Sequence, residues 1–167
     1  MTTTEGPPPR ISTDPRSWLW GGVFLGLGLG GFFDGIVLHQ ILQWHHLLSE
    51  VYLPTTLENL RINTVADGFF HAVTWVFTLI GTWLLWQGTR GTHAEWSTRA
   101  FLGSLLFGWG LFNVVEGLID HHLLQIHHVR PGPNQALYDL GFLVWGAAML
   151  LIGWALMRRP RAGTVRA

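Results

Sequence analysis

The sequence predicts an all-α integral membrane protein, a four-helix bundle made of two tandem helical hairpins, and three observations predict it. First, the 167 residues are 49% hydrophobic and only 12% charged, whereas a soluble domain carries charge on about a quarter of its residues. Second, four stretches are nearly free of charge, centred on Trp18 to Leu42, Phe69 to Trp86, Ala100 to Ile119 and Leu140 to Met157. Roughly 18 or more such residues, rising 1.5 Å each, cross a bilayer. Third, the pattern acid-Gly-x-x-x-His-x-x-Leu-Gln-x-His-His occurs twice, from Asp34 to His46 and, eighty-two positions later, from Glu116 to His128.

The elements follow in order. The polar, proline-rich stretch 1–17 reads as a disordered tail. With no small-residue cleavage site after it, the first apolar segment reads as a retained helix rather than a secretory signal. Helix one should run from Ser17 past Leu42 to the His45-His46 pair, because no breaker intervenes before Pro54. Its Gly22, Gly26 and Gly30 recur every fourth residue, a groove into which another helix can settle.

Helix two should begin near Asn63, carry Asp67-Gly68-Phe69-Phe70-His71 and end at Gln87-Gly88. Helix three should resume near Ser97, pass Asn113 and Glu116, and stop at Arg130-Pro131-Gly132-Pro133. Helix four should start around Gln135, include Asp139, and end at the basic tail 159–167. The membrane domain is then 18–158, with repeat one at 18–88 and repeat two at 97–158. Because both copies of the motif run the same way, the halves should be related by an axis along the membrane normal.

Lysine is absent, and the arginines are unevenly placed. Arg10, Arg16, Arg90, Arg99, Arg158, Arg159, Arg161 and Arg166 fall in the tails and the central connection, leaving only Arg61 and Arg130 for the other two. The positive-inside tendency puts both termini in the cytoplasm and the histidine-rich ends outside. The ten tryptophans read as interface anchors, and His93 falls in the cytoplasmic connection, apart from the other histidines.

The order of the helices brings chemistry to one layer. The ends of helices one and three and the starts of helices two and four share a membrane face. Asp34, His39, His45, His46, Asp67, His71, Glu116, Asp120, His121, His122, His127, His128 and Asp139 gather there, while Glu50 and Glu58 fall outside. Ionisable groups within spanning segments are costly and point to function. Imidazole is the commonest metal ligand, and a duplicated set of imidazoles and carboxylates points to a metal centre. With no cysteine, thiolate zinc, iron–sulfur clusters and covalent c-type haem are excluded.

At 100° per residue, His39, Gln43 and His46 share one stripe of helix one, and Asp34, Leu38 and His45 lie on another about 120° away. Helix three copies this with His121, Gln125 and His128 against Glu116, Asp120 and His127. The His39/His46 and His121/His128 stripes are expected to face each other across the pseudo-twofold. Asp67 and His71 share a face of helix two, but helix four has Leu143 where the second histidine would be. The site should therefore be asymmetric.

The run Asp34 to His46, then Asp67-Gly68-Phe69-Phe70-His71, then Glu116-Gly117 through His127-His128-Val129-Arg130, resembles a bacterial family of predicted membrane proteins, the domain of unknown function twenty-two forty-three. The resemblance covers Trp18 to Trp154 and supplies no established reaction. It implies a multi-pass protein of the bacterial inner membrane, whose relatives are encoded near cytochrome oxidase assembly and copper-handling genes. Respiratory oxidase or copper-handling proteins are the partners this implies, beside the lipid bilayer itself.

The leading expectation is a membrane metalloprotein with a mono- or dinuclear transition-metal centre near the outer face. Its metal ligands would be His39, His46, His71, His121 and His128. Asp34, Gln43, His45, Asp67, Glu116, Asp120, His122, Gln125, His127 and Asp139 would serve as further ligands or as their supports. Iron or copper comes first and zinc second, with redox or oxygen chemistry as the outcome. The competing readings are a non-enzymatic metal carrier or oxidase assembly factor, then a haem b protein or a zinc hydrolase. A homo-oligomer is compatible with the sequence, and nothing in it suggests nucleic-acid binding.

Overall fold

The computed structural model describes residues 16–90 and 97–158. The proline-rich tail up to residue 15, His93 and the basic tail 159–167 lie outside the described residues. Among the described residues four helices are each long and apolar enough to cross a membrane. Helix α1 spans Ser17–Phe33 and continues as a wider π-helical turn over Asp34–Ile41. Helix α2 is Leu57–Thr89, and α3 is Thr98–Glu116 with its own π continuation over Gly117–Leu123. Helix α4 is Gln135–Met157.

Each hairpin packs on itself, α1 on α2 and α3 on α4, and the hairpins meet through α1 and α3. Among the described residues α2 and α4 do not pack on one another. The inner pair is accordingly the covered one: 56% of the apolar window of α1 is buried against 11% of that of α2. The outer helices show Trp75, Trp83, Trp145, Leu140 and Leu151 to their surroundings. An apolar surface of that extent is at home against lipid and not against water.

Glycine decides how closely α1 and α3 approach. A Cβ built on Gly108 would stand 2.0 Å from the Val23 carbonyl oxygen, and one on Gly26 would stand 2.1 Å from that of Leu105. The backbones therefore touch. In lipid, where apolar side chains gain nothing by leaving the solvent, such contact is what holds helices together. The glycine groove read from Gly22, Gly26 and Gly30 is filled by Ser104, by Gly108 and by Trp109 with Phe112.

Three expected boundaries change. Helix one stops at Ile41 rather than at His46, and helix three at Leu123 rather than at Arg130. In each, the last turn widens: Leu42 donates to the carbonyl of Val37 at 2.8 Å, and Leu124 to that of Ile119 at 2.7 Å, five residues back instead of four. The chain then reverses through Gln43 and Gln125, whose φ values are 48° and 49°. Trp44 and Ile126 close the turns by donating to Leu38 and Asp120, at 2.9 and 3.0 Å. No proline is needed to end either helix. Helix two starts six residues before Asn63, because the Thr56 hydroxyl accepts from the Asn59 amide at 3.2 Å and caps it.

Candidate metal centre

The π turn explains the five-residue interval between acid and histidine in the repeated motif. On an α-helix, residues five apart point roughly 140° away from each other. In a turn that closes on the fifth residue they stack. Asp34 and His39 therefore share a face, with Oδ2 and Nε2 3.0 Å apart, and Glu116 and His121 repeat the pair at 3.4 Å. The left-handed reversal at Gln43 and Gln125 then swings His45 and His127 back over the helix ends. A left-handed glutamine costs roughly 1–2 kcal/mol, and its appearance at both equivalent places marks a geometry the site requires.

The predicted stripes are thereby corrected. His45 and His127, placed on the second stripe with Asp34 and Glu116, face each other across the pseudo-twofold with rings parallel to 7° and centroids 4.6 Å apart. They are the inner pair because they lie on no helix at all, so the 100° rule does not reach them. His46 and His128, expected to face inward, turn instead toward Asp67 and Asp139, with Nδ1 donating at 2.7 and 2.8 Å.

Asp67 and Asp139 gather the hydrogen bonds of the surrounding rings and amides. Asp67 accepts from His39 Nδ1 at 2.9 Å, from His46, from the Leu47 amide at 2.9 Å and from Gln40 at 3.3 Å. Asp139 accepts from His128 and from the Val129 amide at 3.0 Å, and lies 3.7 Å from His121 Nδ1. Each carboxylate thus ties the chain after a π turn to the following helix and sets the rings that precede it. Phe70 and Phe142 line the other side, with centroids 5.5 and 5.4 Å from His39 and His121.

The protons follow from the acceptors. A carbonyl oxygen only accepts, so His45 Nδ1, 2.8 Å from the Val129 carbonyl, and His127 Nδ1, 3.1 Å from that of Leu47, must carry hydrogen. Each neutral ring is left with a bare lone pair on Nε2. His39 donates through Nδ1 to Asp67 at 2.9 Å. Its Nε2 then looks at an Asp34 oxygen 3.0 Å away, and that of His127 at a Glu116 oxygen 3.1 Å away. A contact of that length between a ring nitrogen and a carboxylate oxygen is held either by a shared proton or by a cation that takes both as ligands.

The residues concerned are almost fully enclosed: His39 and His127 are 0% exposed and Asp34 2%. Both oxygens of Asp34, and the Nε2 atoms of His39, His45 and His121, make no hydrogen bond among the described residues. Burial lowers the proton affinity of His127 below its ordinary 6.5, outweighing its bond to Glu116, and so favours the neutral ring. Glu116, His121 and His127 offer donor atoms within 4.8 Å of one another, and so do His39, His45 and His127. Asp34, His39 and His45 form the twofold mate of the first group, with Asp34 3.0 and 3.8 Å from the two rings.

The remaining predicted residues lie around this core. Gln43 and Gln125 are exposed and act through their backbone. His122 turns its Nδ1 to the Gly117 carbonyl at 2.8 Å, and Asp120 supplies a carbonyl to the second reversal. His71 belongs to neither donor group. It stacks on Phe32 and lies over Gly35, where an added Cβ would be 2.4 Å from its Nε2; Leu143 lies over Gly117 in the same way. Replacing His71 by leucine, the residue of the other half, is therefore expected to leave metal content unchanged, as read by elemental analysis of the purified variant. Loss of metal from His71→Leu would return that ring to the ligand set.

A family profile described as a predicted membrane protein, DUF2243, matches residues 21–160. No curated protein and no solved structure matches the chain.

Proposed function

The chain belongs to the predicted membrane protein family DUF2243, and from that premise we propose that it is a metalloprotein holding a dinuclear transition-metal centre beneath the outer membrane face. One ion would be held by Asp34, His39 and His45, the other by Glu116, His121 and His127. The observation that carries the reading is the convergence of buried donor atoms within 4.8 Å of one another in Glu116, His121 and His127 and in His39, His45 and His127, with both oxygens of Asp34 and the Nε2 atoms of His39, His45 and His121 making no hydrogen bond among the described residues. A cation at each group would take up these orphaned atoms together.

Two imidazoles and one carboxylate per ion, with coordination positions left over, is the donor set of non-haem iron centres that act on dioxygen. Sulfur is absent from it, which disfavours copper(I). Redox chemistry with iron is the reading we favour. The chain's own part is to fix the Nε2 atoms toward the ions through Asp67, Asp139 and two carbonyls, an arrangement that raises ligand basicity, and to keep lipid out. The arginine distribution supports placing both termini in the cytoplasm and this layer outside.

Elemental analysis and an absorption spectrum of protein purified in detergent test this. About two iron ions per chain with a near-ultraviolet band are expected. A Soret band would mean haem, and a colourless protein with stoichiometric zinc would mean hydrolysis; either replaces the proposal.

A further inference from the structure

The twofold is broken in one place. His46 and the Asp67 that it meets are 21 positions apart, but His128 and Asp139 only 11, so the first connection is ten residues longer. The added residues are firmly built in. Asn63, 0% exposed, accepts from the Leu48 amide at 3.1 Å and donates to the Tyr52 carbonyl at 2.7 Å. The Glu50 amide donates across the twofold to Ile126 at 3.0 Å.

This connection helps to wall a partly open cavity of about 440 Å³, bounded by Trp44 and Pro131 and carrying His45, His46, Ser49 and Glu50. Three features fit it to a cation. His45 lines it and also faces Asp34 in the centre. Ser49 is 5% exposed, and its hydroxyl makes no hydrogen bond among the described residues. His46, donating through Nδ1 to Asp67, also lines it, and the exposed Glu50 adds a negative charge.

We propose that this cavity is the intake site of the centre, where a divalent transition-metal cation is first taken up by Glu50, Ser49 and His46 before transfer to His45. The proposal rests on the metal reading above. Loading is then one-sided: both ions arrive through the first half. An acid at the mouth of a partly enclosed site concentrates cations there and raises their arrival rate by about tenfold or more.

The test follows cobalt(II) uptake by metal-stripped protein in detergent through the visible absorption of the bound ion. Glu50→Gln combined with Ser49→Ala should slow uptake about tenfold and reach the same final stoichiometry. Glu50→Asp with Ser49 intact should load at nearly the wild-type rate. Glu58→Gln, a change at an exposed acid in the first turn of α2, should load at the wild-type rate. Equal rates in the double variant and the wild type overturn the intake site, as does an unchanged initial rate with a lower endpoint. A wild-type protein that binds no cobalt overturns the metal centre itself.

Discussion

Changing His45 and His127 together to alanine is expected to bring the metal content of the purified protein to background. The reason lies in the count of donors. Each of the two triads loses one of its three side chains, and the two remaining are an acid and an imidazole from the same helical turn. Disturbing a partner that merely orients a ligand weakens binding about 10–100-fold, so loss of a ligand from both halves should exceed that. The two rings also donate across the twofold to Val129 and Leu47, which makes loosened connections a competing cause. His121→Ala separates the two effects. Its ring makes no hydrogen bond to the other half among those described, yet it should lose metal as well. His122→Ala, which removes only a bond within its own turn, should keep it. Wild-type metal content in the double variant would eliminate these triads as ligands.

Gly108→Leu is expected to separate the halves. The added side chain must start 2.0 Å from a backbone carbonyl, and a helix backbone cannot rotate away as a side chain can. Overpacking a well-filled site costs about 1–3 kcal/mol even when neighbours adjust; here α1 must move off α3 as a body. Among the described residues the outer helices do not pack on one another, so the hairpins are joined by α1 on α3 and by the bonds that His45, His127 and Glu50 make across the twofold. Thermal unfolding in detergent should shift down steeply, and metal should be lost with it, because each triad borrows support from the other half. Gly68→Ala is the matching control. Nothing lies within 4 Å of a Cβ there, and removing a glycine from a helix interior gains about 0.5–1 kcal/mol. A Gly108→Leu protein that melts like the wild type would show that the contact between α1 and α3 does not hold the halves together.

The legible and illegible parts of the chain divide along a physical line. Span number, the tandem hairpins and the layer of acids and histidines all follow from one-dimensional rules: length of apolar run, order of segments, repeat spacing. Asp67 and Asp139 were placed in that layer by helix order alone, and Gly26 was marked for close approach by its interval. The choice between His45 and His46 was not legible in this way. It turns on whether the helix continues, and the absence of a breaker before Pro54 predicts that it does. Here hydrogen bonds between residues five apart, and a glutamine in left-handed conformation, end it without any breaker. The interval of five between Asp34 and His39, awkward for an α-helix and repeated at Glu116 and His121, was the available sign of a wider turn. Glu50, set outside the layer by its position in a connection, reaches the cavity because Asn63 and Ile126 pull that connection down over the site.

By itself the sequence determined that the protein lives in lipid, that it is doubled, and that nitrogen and oxygen donors collect at one depth, because composition, period and order are properties of the chain read along its length. Only the tertiary structure decided which four rings meet, which two acids meet them and which two acids merely hold them in place. That choice depends on how the backbone widens at the end of a helix and on what lies across the twofold, and neither is written at any single position.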